Sequence, residues 1–412
     1  MIPLHVEELE SLGLGKLDGD GEITGLHIDS RRVGPGDLFV AVRGGREFVG
    51  DARDRGAATL VPHDEFEAMA VLGQILRGRS GARFVGVTGS TGKTSTKDIL
   101  AALCGPVART VATEGSYNAE LGVPLTLGRL EPDTEVCIVE MGMRGFGQIA
   151  ALCEIARPHV GVITAVGPVH LEIVGSVDGV ARSKAELVAA LPEGGIAVVP
   201  QSDDLEPHLP ADVEIRRVPP VDVELRSEGA DVAFAGRRIR FPFRSRHQAQ
   251  NALTALTAYE ALGLPLDRLD ESAAAVRLSK WRGEELALPG GGFVVNDAYN
   301  ANPTSMEAAL RHLAERGDGR RLVAILGGMA ELGEYAERHH REIAELAREL
   351  GIEVLAVGDL ARAYRSQAWV PDAAAALAAA QDLVGPGDAV LVKASRAVAL
   401  EGIAPALANG AP

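Results

Sequence analysis

Cysteine and lysine are the scarce residues of this 412-residue chain, and both scarcities carry information. Three cysteines (Cys104, Cys137 and Cys153) are too few, and odd in number, for a disulfide framework, and they fit a reducing, cytoplasmic compartment. The sequence has no run of about 18 apolar residues, so no membrane span is expected. Its opening, MIPLHVEELE, has neither a basic nor an apolar signal-peptide region, so no secretory leader is expected. Positive charge is also in deficit. The formal net charge is −16, whereas a surface that tracks nucleic-acid phosphates needs the opposite sign, so no nucleic-acid partner is expected. Within that deficit, 6 lysines stand against 35 arginines. A chain that uses arginine so freely retains a lysine where a compact phosphate ligand or an amine nucleophile is wanted, roles a guanidinium fills poorly. Lys93, Lys184 and Lys393 fall in motifs; Lys16, Lys97 and Lys280 carry no expected task.

At roughly 100–200 residues per domain the length allows two to four domains, and three are legible. Residues 1–82 read as a small α/β unit, with strand-like ITGLHIDSRRV and LFVAVRG around a PGD turn. The polar stretch RGRSGAR closes it. Residues 83–281 alternate strands (FVGVTGS, EVCIVEMG, HVGVITAVG) with helices, which predicts a mostly parallel sheet. Residues 213–243 are expected to be short antiparallel strands appended to that unit, and SRHQAQNALTALTAYEALGL an amphipathic helix. Residues 282–412 hold four more strand candidates (FVVNDAY, RLVAILGG, IEVLAVGD, DAVLVKAS) and predict an open, Rossmann-like α/β domain.

The strongest chemical signal is Gly86-Val-Thr-Gly89-Ser90-Thr91-Gly92-Lys93-Thr94-Ser95, between a strand and a helix. Glycines there let backbone N–H groups converge on phosphate oxygens, and the helix N-terminus adds its dipole. Lys93 suits the β/γ-phosphates and Thr94 a Mg²⁺ ion. Val87 stands where the common Walker pattern has glycine. Glu140 ends the next apolar strand, where a carboxylate suits Mg²⁺, while His170 ends a strand-like segment and Lys184 lies in a helix beyond it. His247 and Asn251 share a helical face, and an asparagine amide can pair with an adenine edge. Arg282 and Asp297 flank the first strand of the third region, and Lys393, Ser395 and Arg396 follow its last one. Those cations suit an anionic substrate.

Taken in order, IDSRRVGPGDLFVAVRG, GVTGSTGKTS, NAELGVPLTL, VEMGMRG, VHLEIVGSVDGVARSKAEL, RHQAQNALTA, DAYNANPTSM, GGMAELG and LVKASRAVALE resemble the Mur ligase family over nearly the whole chain. These are ATP-dependent, amide-bond-forming enzymes of peptidoglycan synthesis. The resemblance implies a UDP-sugar-binding N-terminal domain, a central ATPase domain and a C-terminal Rossmann-like domain that closes over ATP. It implies ATP contacts from Gly89, Ser90, Thr91, Gly92, Lys93, Thr94, Ser95, Asn251, Arg282 and Asp297. Two Mg²⁺ ions would be held by Thr94, Glu140, His170 and a carbamylated Lys184, with Lys93, His170 and Lys184 catalytic. Substrate contacts would come from Ser30, Arg31, Asn118, Asn300, Asn302, Lys393, Ser395 and Arg396. The implied reaction joins UDP-N-acetylmuramoyl-tripeptide to D-alanyl-D-alanine through an acyl phosphate, in a monomeric enzyme. Ser116 and Ala119 stand where the family's substrate loop is richer in asparagine. Two other readings remain: a superfamily ligase adding diaminopimelate, lysine or glutamate to another substrate, or a non-catalytic nucleotide-binding partner in a cell-wall complex.

Overall fold

The computed structural model describes residues 1–317 and 319–410. Each successive stretch of chain builds its own sheet. The first is four-stranded, in the order Gly15–Asp18, Ala58–Pro62, Asp37–Val40, Gly25–His27. Only its first pairing is antiparallel. The helix Glu65–Arg79, capped by the Asp64 carboxylate, carries this unit onto the next. Its Leu72 and Leu76 are fully buried in a cluster with Leu152 and Ile155, and Arg77 lies 4.1 Å over the Phe84 ring.

The central sheet has six strands, all parallel, in the order Glu214–Val218, Ile196–Pro200, Val160–Ile163, Arg83–Thr88, Val136–Glu140, Thr110–Ala112. Strands sandwiched between helices must be apolar on both faces, and VCIVE is buried at every position. Alternation still sorts the faces. Val85 and Val87 pack with the helices Lys93–Cys104 and Arg246–Ala261, whereas Phe84 packs with the helix Gln148–Ala156 on the other side. From Arg83–Thr88 the chain runs first to one flank of that strand and later to the other. The carboxyl end of Arg83–Thr88 is therefore a topological switch point, where parallel sheets open a crevice for ligands.

One expectation is corrected here. Glu214–Val218 does not join an antiparallel appendage but pairs parallel with Ile196–Pro200 as the edge of the main sheet. The antiparallel unit is confined to Val223–Arg226, Gly229–Phe234 and Arg237–Phe241. A polar, half-exposed run such as EIRRV reads alike in either setting, because an edge strand loses the continuous apolar signature. The C-terminal sheet runs Glu284–Ala287, Phe293–Asn296, Ala389–Lys393, Leu322–Gly327, Ile352–Val357, Ala368–Val370, parallel except for its first pairing. The four anticipated strands form its interior, and the two short edges were not anticipated.

Candidate active site

The glycine loop is held from behind. Gly92 has φ +80°, and a Cβ there would lie 2.2 Å from Asn251 Oδ1; one at Gly89 (φ +152°) would lie 1.9 Å from Thr164 Oγ1. Glycine is needed at both positions for conformation and for space. The Thr164 hydroxyl, just past its strand, reaches the Thr91 carbonyl at 2.5 Å. Ser90 Oγ accepts from Gly167 N at 3.0 Å, and Ser90 O accepts from Asn302 Nδ2 at 3.2 Å. That last bond brings the third domain onto the loop. Lys93 folds back to donate to Gly89 O at 2.7 Å, and Thr94 is buried one residue on.

Beside this loop lies a cluster of buried charge. Glu140 is 1% exposed; its Oε1 accepts from Asn118 Nδ2 at 2.7 Å, and its Oε2 has no hydrogen-bond partner among the described residues. Lys184, on the helix Val177–Ala189, is 2% exposed and likewise has no hydrogen-bond or ion-pair partner among the described residues. Burial first, and then the charge of Lys93, hold its pKa well below the ordinary lysine value. Burial also lowers Lys93, with Glu140 opposing that shift and Arg282 adding to it. Lys93 thus senses the charges of Glu140 and Arg282, and Lys184 senses that of Lys93. His170 departs from its expected place at a strand end. It caps the short helix Leu171–Val174 with a left-handed backbone (φ 53°), and its Nδ1 lies 2.5 Å from Glu331 Oε2 of the third domain. Glu331, itself at φ 62°, also faces Arg144 at 3.5 Å, and its pKa is lowered chiefly by the close approach of His170.

The third domain's motifs mostly brace one another. Lys393 is 2% exposed and sits 2.5 Å from Asp297 Oδ2 and 3.0 Å from Asn300 O. Ser395 Oγ accepts from Ala330 N at 2.9 Å, tying the GGMAELG turn to the strand carrying Lys393. Arg396 turns to Glu401 and the Trp281 ring, and Arg282 stacks 4.0 Å over Tyr299. In the first domain Ser30 is buried at the start of a 3₁₀ turn, while Arg31 is exposed and engages its own neighbour Asp29. Neighbouring Arg32 reaches Glu114 of the central domain at 3.8 Å. The residues brought to the switch point are therefore Gly89–Ser95, Asn118, Glu140, Lys184, Asn251, Arg282 and Asn302. Ser30 and Arg31 stand apart on the first domain.

Sequence reasoning missed Thr164, Thr113, Lys97 and Glu331 as supports of the site. Of these, Thr164 lay in the quoted strand HVGVITAVG and Glu331 in the GGMAELG motif. It also missed a buried contact between His247 and His312, whose rings meet edge-on at 5.9 Å. Burial pushes both imidazoles down to about 4.

A glycine loop between strand and helix, at the switch point of a parallel sheet and roofed by a second α/β domain, defines a nucleotide-dependent enzyme of the P-loop type. An unpaired buried carboxylate oxygen whose charge reaches Lys93 fits a divalent cation, and a buried amine with a lowered pKa fits carbamylation. The descriptions "Mur ligase middle domain" (residues 87–259), "Mur ligase, glutamate ligase domain" (281–396) and "Mur ligase family, catalytic domain" (22–90) match in order. The chain belongs to the Mur ligase family. It is 35% identical to the UDP-N-acetylmuramoyl-tripeptide--D-alanyl-D-alanine ligase of Mycobacterium tuberculosis, over 93% of this chain and 92% of that enzyme. Crystal structure I of MurF from Acinetobacter baumannii superposes with a TM-score of 0.85 at 27% identity, covering 99% of both chains. MurF ligase from Thermotoga maritima in complex with ADP superposes at 0.82 and 27% identity, covering 94% of this chain and 97% of that one.

Proposed function

We propose that this chain ligates D-alanyl-D-alanine to UDP-N-acetylmuramoyl-tripeptide at the expense of ATP, releasing ADP and phosphate. The observation that carries the reading is the presence near the glycine loop of both an unsatisfied Glu140 Oε2 and a buried, partnerless Lys184 whose pKa is lowered by burial. Neither group benefits a fold that only binds nucleotide, since both are buried at a cost.

A carboxylate is a poor electrophile and is repelled by a triphosphate. The backbone N–H groups of Gly89–Ser95 cradle the phosphates, and Lys93 leaves Gly89 O to neutralise the β/γ oxygens. The tripeptide carboxylate then attacks the γ-phosphorus, ADP departs, and an acyl phosphate forms. The dipeptide amine adds to that carbonyl, and the tetrahedral adduct expels phosphate. Positioning and charge neutralisation supply most of the acceleration. Mg²⁺ ions, held by Thr94, Glu140, His170 and carbamylated Lys184, would supply the remaining charge neutralisation. Carbamylation needs an unprotonated amine to attack carbon dioxide, with loss of one proton, and burial shifts Lys184 toward that state. Asn251 and Arg282 serve the nucleotide, and Asp297 keeps Lys393 in place behind the DAYNANP turn. Asn302 closes the third domain onto Ser90, and Asn300, Ser395 and Arg396 shape the dipeptide side. Ser30 and Arg31 hold the UDP end, and Asn118 the peptide. In this reading the enzyme acts as a monomer. No helix among the described residues is long and apolar enough to cross a membrane, and a cytoplasmic location suits both substrates.

The test is mass-spectrometric detection of the pentapeptide product from UDP-muramoyl tripeptides, ATP and the dipeptide. Parallel reactions offer diaminopimelate, lysine or glutamate to their own acyl donors. Product with one of those amines and none with the dipeptide would overturn the substrate assignment. Absence of ADP release in every reaction would overturn catalysis itself.

A further inference from the structure

Lys97 has no expected task, yet it is one of the most completely bonded groups in the central domain. It lies one helical turn beyond Lys93 on the helix Lys93–Cys104 and is 3% exposed. An ammonium has three N–H donors. Here Nζ meets three acceptors: Thr113 O at 2.8 Å, Gly115 O at 3.4 Å and Asp98 Oδ1 at 2.7 Å. A planar guanidinium could not reproduce that compact set, which accounts for a lysine in an arginine-rich chain.

What Lys97 grips matters more than how well it is bonded. Thr113 Oγ1 accepts from the Glu140 N–H at 3.0 Å and from the Thr126 hydroxyl at 3.2 Å. Five residues on, Asn118 donates to Glu140 Oε1, and its carbonyl accepts from Gly142 N at 2.7 Å. The 113–118 loop therefore holds Glu140 at its backbone and at one carboxylate oxygen, leaving Oε2 free. The partner acid extends the link, since Asp98 Oδ2 accepts from Ser279 N at 2.8 Å, three residues before Arg282.

We propose that Lys97 is a positioning residue that locks the 113–118 loop to the nucleotide-binding helix, so that Glu140 presents its unpaired oxygen beside Thr94. The inference rests on the metal role proposed for Glu140 and adds the device that aims it. Outer supports of this kind typically change metal affinity by about 10–100-fold.

The experiment compares the full-length parent with Lys97→Met, Lys97→Arg, Thr113→Val and, as a control, Glu140→Gln. Mn²⁺ affinity is read by electron paramagnetic resonance in the presence of ADP, metal-free ADP affinity by calorimetry, and folding by thermal melt. In Lys97→Met the Mn²⁺ affinity should fall about tenfold or more, with metal-free ADP affinity nearly unchanged. Lys97→Arg should not restore it, and half-saturating Mg²⁺ in the ligation assay should rise in parallel. Thr113→Val removes the acceptor for the Glu140 N–H without touching the lysine, and it should move Mn²⁺ affinity in the same direction. If Lys97→Met does not melt cooperatively, Thr113→Val decides the matter. Unchanged Mn²⁺ affinity in Thr113→Val or in folded Lys97→Met overturns the proposal, as does an equal loss of ADP and Mn²⁺ affinity. Unchanged affinity in Glu140→Gln would instead refute the metal role of Glu140.

Discussion

The amine of Lys184 makes the sharpest demand on the proposed chemistry. Because it has no hydrogen-bond partner among the described residues, removing it breaks no bond within the protein; what is lost is what the amine can become. As a carbamate it would be an anion facing the cations of the phosphate site. Loss of one such electrostatic contact costs about 2.7–4 kcal/mol of barrier, or roughly a hundred- to a thousand-fold in rate. Lys184→Ala should fall by that factor and leave a space that formate, acetate or propionate can enter, restoring part of the rate. Lys184→Met fills the space and should not respond to added acids. The parent, depleted of carbon dioxide, should lose activity and regain it with bicarbonate, and ¹³C-bicarbonate should give a carbamate resonance absent from both variants. Stability supplies an independent sign. The folded-state pKa of Lys184 lies well below the ordinary 10.5. Between those values the unfolded chain binds the extra proton, so this lysine's contribution to stability rises with pH and is most unfavourable at low pH. Relative to the carbon dioxide-depleted parent, Lys184→Met should melt higher at pH 7, by a margin that shrinks toward pH 10. An Ala variant within about threefold of the parent rate and indifferent to carboxylates would refute the argument, since a contact of this kind is worth roughly a hundredfold or more.

Gly92→Ala places a methyl 2.2 Å from Asn251 Oδ1 on a φ of +80°, so the loop must shift. The left-handed backbone alone costs about 1–2 kcal/mol, and calorimetric ADP affinity should fall by roughly tenfold or more. Glu331→Gln removes a half-exposed pair to His170 across the domain interface; about 0.5–1 kcal/mol is expected, read as a larger radius of gyration in small-angle scattering. Because the Glu331 pKa is lowered, its contribution in the parent is present above the ordinary value of 4.5 and is lost as pH falls through the lowered one. His247 and His312, both at about 4 when folded and 6.5 when free, stabilise fully above pH 6.5 and progressively less down to pH 4. His312→Phe should remove roughly 3 kcal/mol of that pH-dependent stability, read as a shallower fall in melting temperature between pH 6.5 and 4; an unchanged slope would remove the histidine from the account.

How legible a residue was depended on whether its partners were near it in sequence. The glycine loop, Glu140 and the four inner strands of the third domain announce themselves locally, by turn chemistry or by unbroken apolar runs. The edge strand Glu214–Val218 does not, because half-exposure erases that run. Lys97 was passed over for a related reason: nothing in STKD marks a buried ammonium, and its acceptors are backbone carbonyls at residues 113 and 115, which any sequence offers. Lysine scarcity was the available signal, since six lysines in an arginine-rich chain made each one worth placing.

The contact between His170 and Glu331 shows what sequence reading has no access to. Each sits on a left-handed backbone, a conformation that costs a non-glycine residue about 1–2 kcal/mol, and each points across an interface between domains. Two such residues meeting by chance would be a poor use of strain; meeting on purpose, they join the turn after the third strand of the nucleotide sheet to the turn after the Leu322–Gly327 strand. A histidine proposed to face a metal on one side is thereby tied to the closing domain on the other. Closure and metal site then share one side chain, so Glu331→Gln should raise half-saturating Mg²⁺ as well as loosen the domains. A loosened domain with unaltered Mg²⁺ dependence would separate the two and leave His170 a purely structural latch.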